Sequence, residues 1–212
     1  MDLYFSPMAC SLATRIALYE AGAEARYIAV DGPAKRTDDG DDYWQVAPMG
    51  QVPALRTDDG VLLTENAAVL QFVAESFPAA KLMPDDGIDR ARLRQWLGFI
   101  GTELHKAVFV PMLDPKAPPE VRAYAADKAA LRLAVLQDHL ARHEHLVDRF
   151  SVADAYLTVV LNWAPYVGID LGSWPAVQQY HRRMTQRPSI AKAIGEEFEL
   201  YRAEQARRRK AA

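Results

Sequence analysis

Apolar and polar positions over residues 1–78 alternate between strand-like runs and helix-like stretches. Short apolar runs that are typical of β-strands occupy residues 3–5, 27–30, 52–55 and 61–63. Helical spacing covers residues 11–21 and residues 67–77, and Pro78 ends the second stretch. A strand–helix–strand unit pairs its strands in parallel, whereas the Asp-Asp-Gly turn at residues 58–60 predicts an antiparallel hairpin. The order of these elements predicts a mixed four-stranded sheet with helices on its faces, as in a thioredoxin-like domain.

Helical spacing takes over in the rest of the chain. Residues 79–87 contain Pro84 and an Asp-Asp-Gly run, which indicate a linker. Apolar residues three and four positions apart then predict helices over residues 88–112, from Pro119, from Ser151, over residues 174–186 and over residues 190–207. At the third of these helices, Ser151 can cap a main-chain N–H while Asp154 reaches back to the cap residue. We therefore predict a thioredoxin-like α/β domain over residues 1–78, a linker over residues 79–87 and an all-α domain over residues 88–212.

The composition is that of an ordinary globular protein, because 50% of the 212 residues are hydrophobic and 25% are charged. The apolar stretches end well before the ~20 positions that a membrane-spanning helix needs. The N-terminus lacks the basic and apolar regions of a signal peptide. A single cysteine cannot form an internal disulfide and suits a reducing compartment. We expect a cytoplasmic protein that binds no membrane.

A basic tail at residues 207–210 raises the question of nucleic-acid binding. No basic stripe with interleaved aromatic residues accompanies it, as such binding usually requires. The tail therefore indicates a solvated, frayed terminus, and we expect no nucleic-acid partner.

Cys10 is the first candidate for chemistry, because it lies between the end of a strand and the start of a helix. At that place a thiol faces free N–H groups and the positive end of the helix dipole, and both favour the thiolate. The alternative is a cysteine that only fills space. Position 13 is Ala13, so the Cys-x-x-Cys pattern of a reversible internal disulfide is absent.

Two further segments could bind a peptide-like ligand. Pro53 opens a strand, and a cis bond after Val52 would leave the main chain of Val52 free to pair with an extended peptide. The alternative is an ordinary proline at a sheet edge. Before the helix at residues 67–77, Asn66 is a predicted N-cap, and Glu65 could bind a ligand ammonium beside N–H groups that could bind a carboxylate.

Histidines supply the remaining candidates. His105 and Lys106 are adjacent on a helix, so they point about 100° apart and define either a cleft wall or a plain polar face. His139 and His143 have the spacing of a metal-binding pair. No cysteine or carboxylate pattern accompanies that pair, and we predict no metal site.

Six separated motifs in this order resemble the beta class of bacterial glutathione transferases, over residues 1 to about 190. The motifs are LYFSP with ACSL in residues 3–12, GDDY at residues 40–43, GQVPAL at residues 50–55, LTE at residues 63–65, TELHK at residues 102–106 and SVADAYL at residues 151–157. The resemblance implies a thioredoxin-like domain followed by a helical domain, assembled as a homodimer. Glutathione would be a co-substrate, and no other cofactor is implied.

The resemblance also implies roles for individual residues of the glutathione site. Val52 would pair its main chain with the cysteinyl part of glutathione, ahead of a cis Pro53. Glu65 and Asn66 would hold the γ-glutamyl end, and Lys35 would meet the glycyl carboxylate. Cys10 would lie beside the glutathione sulfur, where a mixed disulfide can form.

The remaining implied roles concern the reacting thiol and the second substrate. Ser11, His105 and Lys106 would supply positive charge or hydrogen bonds to the thiol, and Trp163 would line the pocket for a hydrophobic electrophile. Three positions depart from the usual pattern of the class, namely Met8, Met49 and Gly98, and Phe5 lacks the tyrosine hydroxyl that other transferase classes use.

The sequence leaves three functions open. The first is conjugation of glutathione to soft electrophiles, with Cys10 reserved for mixed-disulfide chemistry. The second is a glutathione-dependent thiol–disulfide reductase in which Cys10 is the nucleophile. The third is a non-catalytic member of the same fold that binds ligands or proteins.

Overall fold

The computed structural model describes residues 1–211, and main-chain contacts divide the chain into two compact units. The first unit contains Met1–Lys81 together with the last helix of the chain, and the second contains Leu82–Arg187. The predicted domain boundaries, at residues 78 and 88, were placed where alternating strands and helices give way to helices alone. The contacts group the elements differently, because the last helix packs on a helix of the first unit.

The first unit is built on one mixed sheet. Its strands are β1 (Asp2–Phe5), β2 (Arg26–Asp31), β3 (Arg36–Thr37), β4 (Ala54–Arg56) and β5 (Leu62–Thr64). They lie in the order β3-β2-β1-β4-β5, with β1 parallel to β2 and the other neighbours antiparallel. The mixed sheet is confirmed, but the predicted count of four strands is wrong.

The additional strand is β3, which lies in a polar stretch that shows no apolar alternation. Lys35 adopts a left-handed backbone conformation with φ 52°, and this tight turn folds Arg36 and Thr37 back onto Asp31 and Val30. Because only two residues pair, the strand leaves no periodic signal in the sequence.

Three helices belong to this unit: α1 (Leu12–Glu20), α2 (Asn66–Ser76) and α8 (Pro188–Ala211). Helices α1 and α2 pack against each other, and α8 packs on α1. Leu12, Ile16 and Leu70 are fully buried, as their helical spacing predicts. Burying side chains of this size contributes about 1.5–3 kcal/mol each, so this packing is a main source of the unit's stability.

The second unit is helical. Its helices are α3 (Gly87–Gly98), α4 (Val110–Leu113), α5 (Pro119–Leu140), α6 (Val152–Leu161) and α7 (Pro175–Thr185). The predicted helix over residues 88–112 is present, but its middle, Phe99–Phe109, is π-helical. Short 3-10 turns occur in this unit at Ala164–Val167 and Leu171–Ser173, and in the first unit at Tyr43–Gln45 and Pro78–Ala80. Within residues 1–211, no helix is long and apolar enough to cross a bilayer.

A buried carboxylate organises the start of α6. The predicted capping box is confirmed: Asp154 accepts the N–H of Ser151 at 2.9 Å and its hydroxyl at 2.8 Å. The same carboxylate accepts the N–H of Leu146 at 3.0 Å and the hydroxyl of Tyr180 at 2.9 Å. Asp154 has no exposed surface, so these donors take the place of water around its oxygens, and Nδ1 of His145 lies 3.8 Å from the same carboxylate.

Replacing this carboxylate should destabilise the chain strongly. We expect Asp154→Ala to lower the free energy of unfolding by at least about 3 kcal/mol, because several buried donors lose their acceptor together. Urea unfolding followed by tryptophan fluorescence measures the change. Asp148→Ala removes an exposed carboxylate paired with Arg149 and should cost less than about 1 kcal/mol. Equal losses in the two variants would contradict this account of Asp154.

Candidate functional site

Cys10 lies in the turn between β1 and α1, where three segments of the first unit meet. Its thiol donates a hydrogen bond to the main-chain oxygen of Val52 at 3.2 Å. Its own main-chain oxygen accepts the side-chain amide of Asn66 at 3.0 Å. Because a thiol that donates to a carbonyl carries its proton, this arrangement stabilises the neutral form of Cys10.

The expectation that Cys10 faces free N–H groups of α1 is wrong. The first N–H groups of the helix bond to main-chain oxygens of the preceding turn, Leu12 to Ala9 at 3.1 Å, Ala13 to Cys10 at 3.2 Å and Thr14 to Ser11 at 3.0 Å. The reason is local, since the turn continues into the helix through tight i to i+3 bonds that satisfy these donors.

Ser11 is fully buried beside this turn. Its hydroxyl accepts the N–H of Ser6 at 3.3 Å and approaches the main-chain oxygen of Ser6 at 3.4 Å. In this arrangement the hydroxyl fixes the shape of the turn that carries Cys10.

The peptide bond between Val52 and Pro53 is cis. Three consecutive main-chain oxygens before Pro53 each accept a side-chain donor. Lys35 Nζ donates to Gly50 at 2.6 Å, the Tyr43 hydroxyl donates to Gln51 at 2.8 Å and Cys10 donates to Val52 at 3.2 Å. The predicted free C=O of Val52 is therefore occupied, whereas its N–H has no acceptor within residues 1–211. This segment, residues 50–53, is called the cis-proline segment below.

Lys35 is held close to the cis-proline segment by its bond to Gly50. Its ammonium also lies 5.8 Å from the ring centre of Trp44. Gly50 has φ +58°, and a Cβ there would come within 2.7 Å of the Trp44 ring, so a larger residue would be strained and would displace that ring. Burial raises the pKa of Tyr43 above its ordinary value, which keeps its hydroxyl protonated as the donor to Gln51.

The start of α2 differs from the prediction in one respect. Asn66 is not the N-cap but the first helical residue, and Glu65 occupies the cap position with φ 67°. Asn66 is buried, and its side-chain N–H donates to Cys10, whereas its Oδ1 has no partner within residues 1–211. Glu65 is exposed, and a positive φ at a residue other than glycine is a strained conformation that often marks a functional site.

A buried ion pair that the sequence analysis missed supports the Cys10 turn from α8. Glu197 has no exposed surface and accepts the N–H of Met8 at 2.8 Å. Its other oxygen lies 2.9 Å from Nε of Arg15, whose guanidinium stacks 4.4 Å from the ring centre of Phe5 and 4.1 Å from that of Tyr27. The sequence offered one indication of this arrangement, which is Met8 at a position where the beta class commonly has glycine. In the structure, Met8 has φ 62°, a conformation that glycine adopts more readily.

His105 lies in the π-helical segment of the second unit and is almost fully buried. Its Nδ1 lies 2.7 Å from the hydroxyl oxygen of Tyr156, and its ring centre lies 5.0 Å from that of Trp163. Burial and, to a lesser extent, the charge of Lys106 lower the pKa of His105 to about 4. His105 is therefore neutral at pH 7 and cannot supply the positive charge considered in the sequence analysis.

Lys106 and His105 lie on different faces, since Lys106 is exposed and His105 is buried. Trp163 is also mostly buried, and its ring centre lies 5.9 Å from that of Phe109. Tyr156, Trp163 and Phe109 form an aromatic cluster around His105 within the second unit.

The histidine pair at residues 139 and 143 forms a stack rather than a metal site. The two ring centres lie 4.3 Å apart, and each ring bonds to a main-chain oxygen. Within residues 1–211, no group of three or more His, Cys, Asp or Glu side chains could hold a metal ion.

Comparisons with known proteins connect both units to one family. The model of the glutathione S-transferase N-terminal domain matches residues 1–75, and the model of the C-terminal domain matches residues 102–188. Glutathione S-transferase GstA of Escherichia coli O157:H7 is 40% identical over 93% of this chain and 98% of its own length.

Solved structures agree with this result. The ternary complex of BphK, a bacterial transferase, has a TM-score of 0.90 at 42% identity, over 93% of this chain and 99% of that one. A sphingomonad transferase complexed with glutathione has a TM-score of 0.89 at 44% identity, over 93% and 98%. A beta-class transferase of Sphingomonas chungbukensis has a TM-score of 0.89 at 43% identity, with the same coverage. The resemblance inferred from the six motifs and the predicted fold class are confirmed.

The buried pair of Arg15 on α1 and Glu197 on α8 should make stability depend on pH. Burial raises the pKa of Glu197 from 4.5 to about 7, although Arg15 and the Met8 N–H oppose this rise. The folded chain therefore holds this proton more tightly than the unfolded chain. The contribution of Glu197 is complete below pH 4.5 and is lost as the pH rises through about 7. We expect the free energy of unfolding to fall across this window by an amount on the order of 3 kcal/mol.

Glu197→Gln should remove most of this dependence, because glutamine does not titrate. Urea unfolding of wild type and variant, from about pH 5 to about pH 8, measures the two slopes. Glu199→Gln, on an exposed residue of the same helix, is the matched control and should keep the wild-type slope. An unchanged slope in Glu197→Gln would refute the assignment.

Proposed function

Because the chain belongs to the glutathione S-transferase family, we propose that it conjugates reduced glutathione to soft hydrophobic electrophiles. In this reaction the thiolate of glutathione forms a new carbon–sulfur bond. The electrophile either releases a leaving group with the bonding electron pair or, in an addition, takes up a proton. The enzyme has to bind the peptide, orient its sulfur and stabilise the thiolate.

The free N–H of Val52 is the observation that carries the proposal. An extended peptide needs a main-chain partner, and the N–H of Val52 has no acceptor within residues 1–211. The cis-proline segment is fixed on its other side by Lys35, Tyr43 and Cys10, so the N–H is preorganised for a ligand carbonyl. A cysteinyl residue paired there would place its sulfur near Cys10.

The two ends of glutathione find complementary groups in the same unit. The carboxylate of Glu65 suits the ammonium of the γ-glutamyl end. The N-terminus of α2 suits its carboxylate, because within residues 1–211 the first N–H of this helix that finds an acceptor is that of Ala68. Lys35 suits the glycyl carboxylate, because its ammonium has two donors besides the one that bonds to the oxygen of Gly50.

Cys10 is assigned to mixed-disulfide chemistry and not to the activation of glutathione. The protonated thiol of Cys10 donates a hydrogen bond to the carbonyl of Val52. A thiolate on Cys10 would be repelled by the thiolate of glutathione beside it. In the exchange step, Cys10 first releases its proton to solvent. Its sulfur then attacks one sulfur of glutathione disulfide, the disulfide bond breaks, and the released glutathione thiolate takes up a proton.

Three residues of the second unit complete the proposal through the family resemblance. By this resemblance, His105 is assigned a role as a neutral hydrogen-bonding group and Lys106 a role as a positive charge. Trp163 contributes to the electrophile pocket. We place the enzyme in the cytoplasm.

Assembly as a homodimer is supported by exposed apolar side chains along α5. They recur at helical spacing, at Val121, Tyr124, Leu131 and Val135. Tyr124 is 63% exposed and Leu131 is 66% exposed. A second copy of the chain would cover this stripe.

Conjugation should survive the loss of the Cys10 thiol. We expect Cys10→Ala to keep the rate of conjugation to chlorodinitrobenzene within about threefold of wild type, because the nucleophile is the sulfur of glutathione. The absorbance of the conjugate measures this rate. The same variant should form no mixed disulfide with glutathione disulfide, as intact-mass spectrometry would show.

Glu65→Ala is the matched control and should lower conjugation, because it removes the partner of the ligand ammonium. A complete loss of conjugation in Cys10→Ala would favour the reductase instead. A wild type that neither conjugates nor exchanges would leave only a binding function.

A further inference from the structure

We propose that Tyr156 is a positioning residue that fixes His105 as the tautomer with its proton on Nε2. His105 then presents a hydrogen-bond donor on the ring nitrogen that faces away from Tyr156. The catalytic part of this inference rests on the proposed conjugation, whereas the tautomer does not.

The geometry holds the imidazole in one orientation. The hydroxyl oxygen of Tyr156 lies 2.7 Å from Nδ1 of His105, and the two rings meet edge to face at 89°. The ring centre of Trp163 lies 5.0 Å from that of His105. Each of the three side chains has at most 9% of its surface exposed, so rotation of the ring would require neighbouring side chains to move.

Tyr156 is itself fixed by the helix that carries it. Every residue of α6 is buried, and the capping box of Ser151 and Asp154 anchors its first turn. The hydroxyl therefore remains at one place relative to the helix. A hydrogen bond to it sets both the orientation of His105 and the position of its proton.

The chemistry of the two groups decides which one donates. A phenol hydroxyl is a stronger donor than a neutral imidazole N–H, and an imidazole lone pair is a stronger acceptor than a phenol oxygen. The bond therefore runs from Tyr156 O–H to Nδ1 of His105. Because buried His105 is neutral at pH 7, its single ring proton is on Nε2.

This tautomer defines what His105 can do during conjugation. A protonated Nε2 cannot remove the proton of a thiol, so His105 is not a general base through this nitrogen. It can donate to a thiolate or to the negative charge that develops on the electrophile. His105 therefore acts as a neutral hydrogen-bond donor, as an amide N–H does, and not as a positive charge.

The tautomer can be measured directly in the full-length protein at neutral pH. Nitrogen-15 NMR of the histidine rings should show Nδ1 of His105 as an unprotonated nitrogen and Nε2 as a protonated one. His105→Asn identifies the signals by their disappearance. Wild-type signals with the proton on Nδ1, or averaged between the two nitrogens, would overturn the proposal whether or not the protein conjugates glutathione.

Tyr156→Phe keeps the ring and removes the hydroxyl. We expect averaged ring signals for His105 and a kcat for conjugation that falls about tenfold, with a KM for glutathione changed less than about twofold. Tyr166→Phe, on an exposed tyrosine of the same unit, should change neither quantity. An unchanged kcat in Tyr156→Phe would overturn the catalytic part. If that variant does not fold, the wild-type spectrum alone decides the tautomer.

Discussion

The account depends on one constraint, which is the fixed conformation of the cis-proline segment at residues 50–53. Three consecutive main-chain oxygens there accept donors from three different parts of the first unit, at 2.6 Å, 2.8 Å and 3.2 Å. With these oxygens satisfied, the N–H of Val52 remains for a ligand. The same contacts hold Lys35 and Cys10 close to that N–H. In the proposed site, glutathione recognition, the state of the Cys10 thiol and the placement of the ligand sulfur would therefore follow from a single local structure.

Two buried carboxylates show how each unit holds an element in place. Asp154 starts α6 with donors from Ser151, Leu146 and Tyr180, all between 2.8 Å and 3.0 Å. Glu197 instead reaches from α8 to the turn that carries Cys10, and its cost of burial is large enough to raise its pKa to about 7. The first carboxylate defines where a helix begins. The second connects α8 to the turn that carries Cys10.

Much of this architecture was predictable, because short-range rules decide it. Apolar spacing predicted the main helices and the Ser151 and Asp154 spacing predicted the capping box. The cis bond before Pro53 was implied by the family resemblance, because the proline alone fits an ordinary sheet edge equally well. The two-residue strand β3 has no periodicity, and the roles of Asn66 and Glu197 come from partners more than fifty residues away. The neutrality of His105 was equally hidden, because burial depends on packing and not on residue type. Sequence patterns therefore predicted the elements, whereas the electrostatics of the site required the three-dimensional structure.

Calorimetric titration with reduced glutathione and with S-methylglutathione, under reducing conditions at neutral pH, tests the central claim most directly. The methylated peptide cannot react as a thiol, so its binding reports recognition of the main chain and the two charged ends alone. The account predicts that both ligands bind at one site per subunit, with dissociation constants up to the millimolar range. No binding of either ligand at millimolar concentration would contradict the account, because the free N–H of Val52 and its flanking charges would then not recognise glutathione.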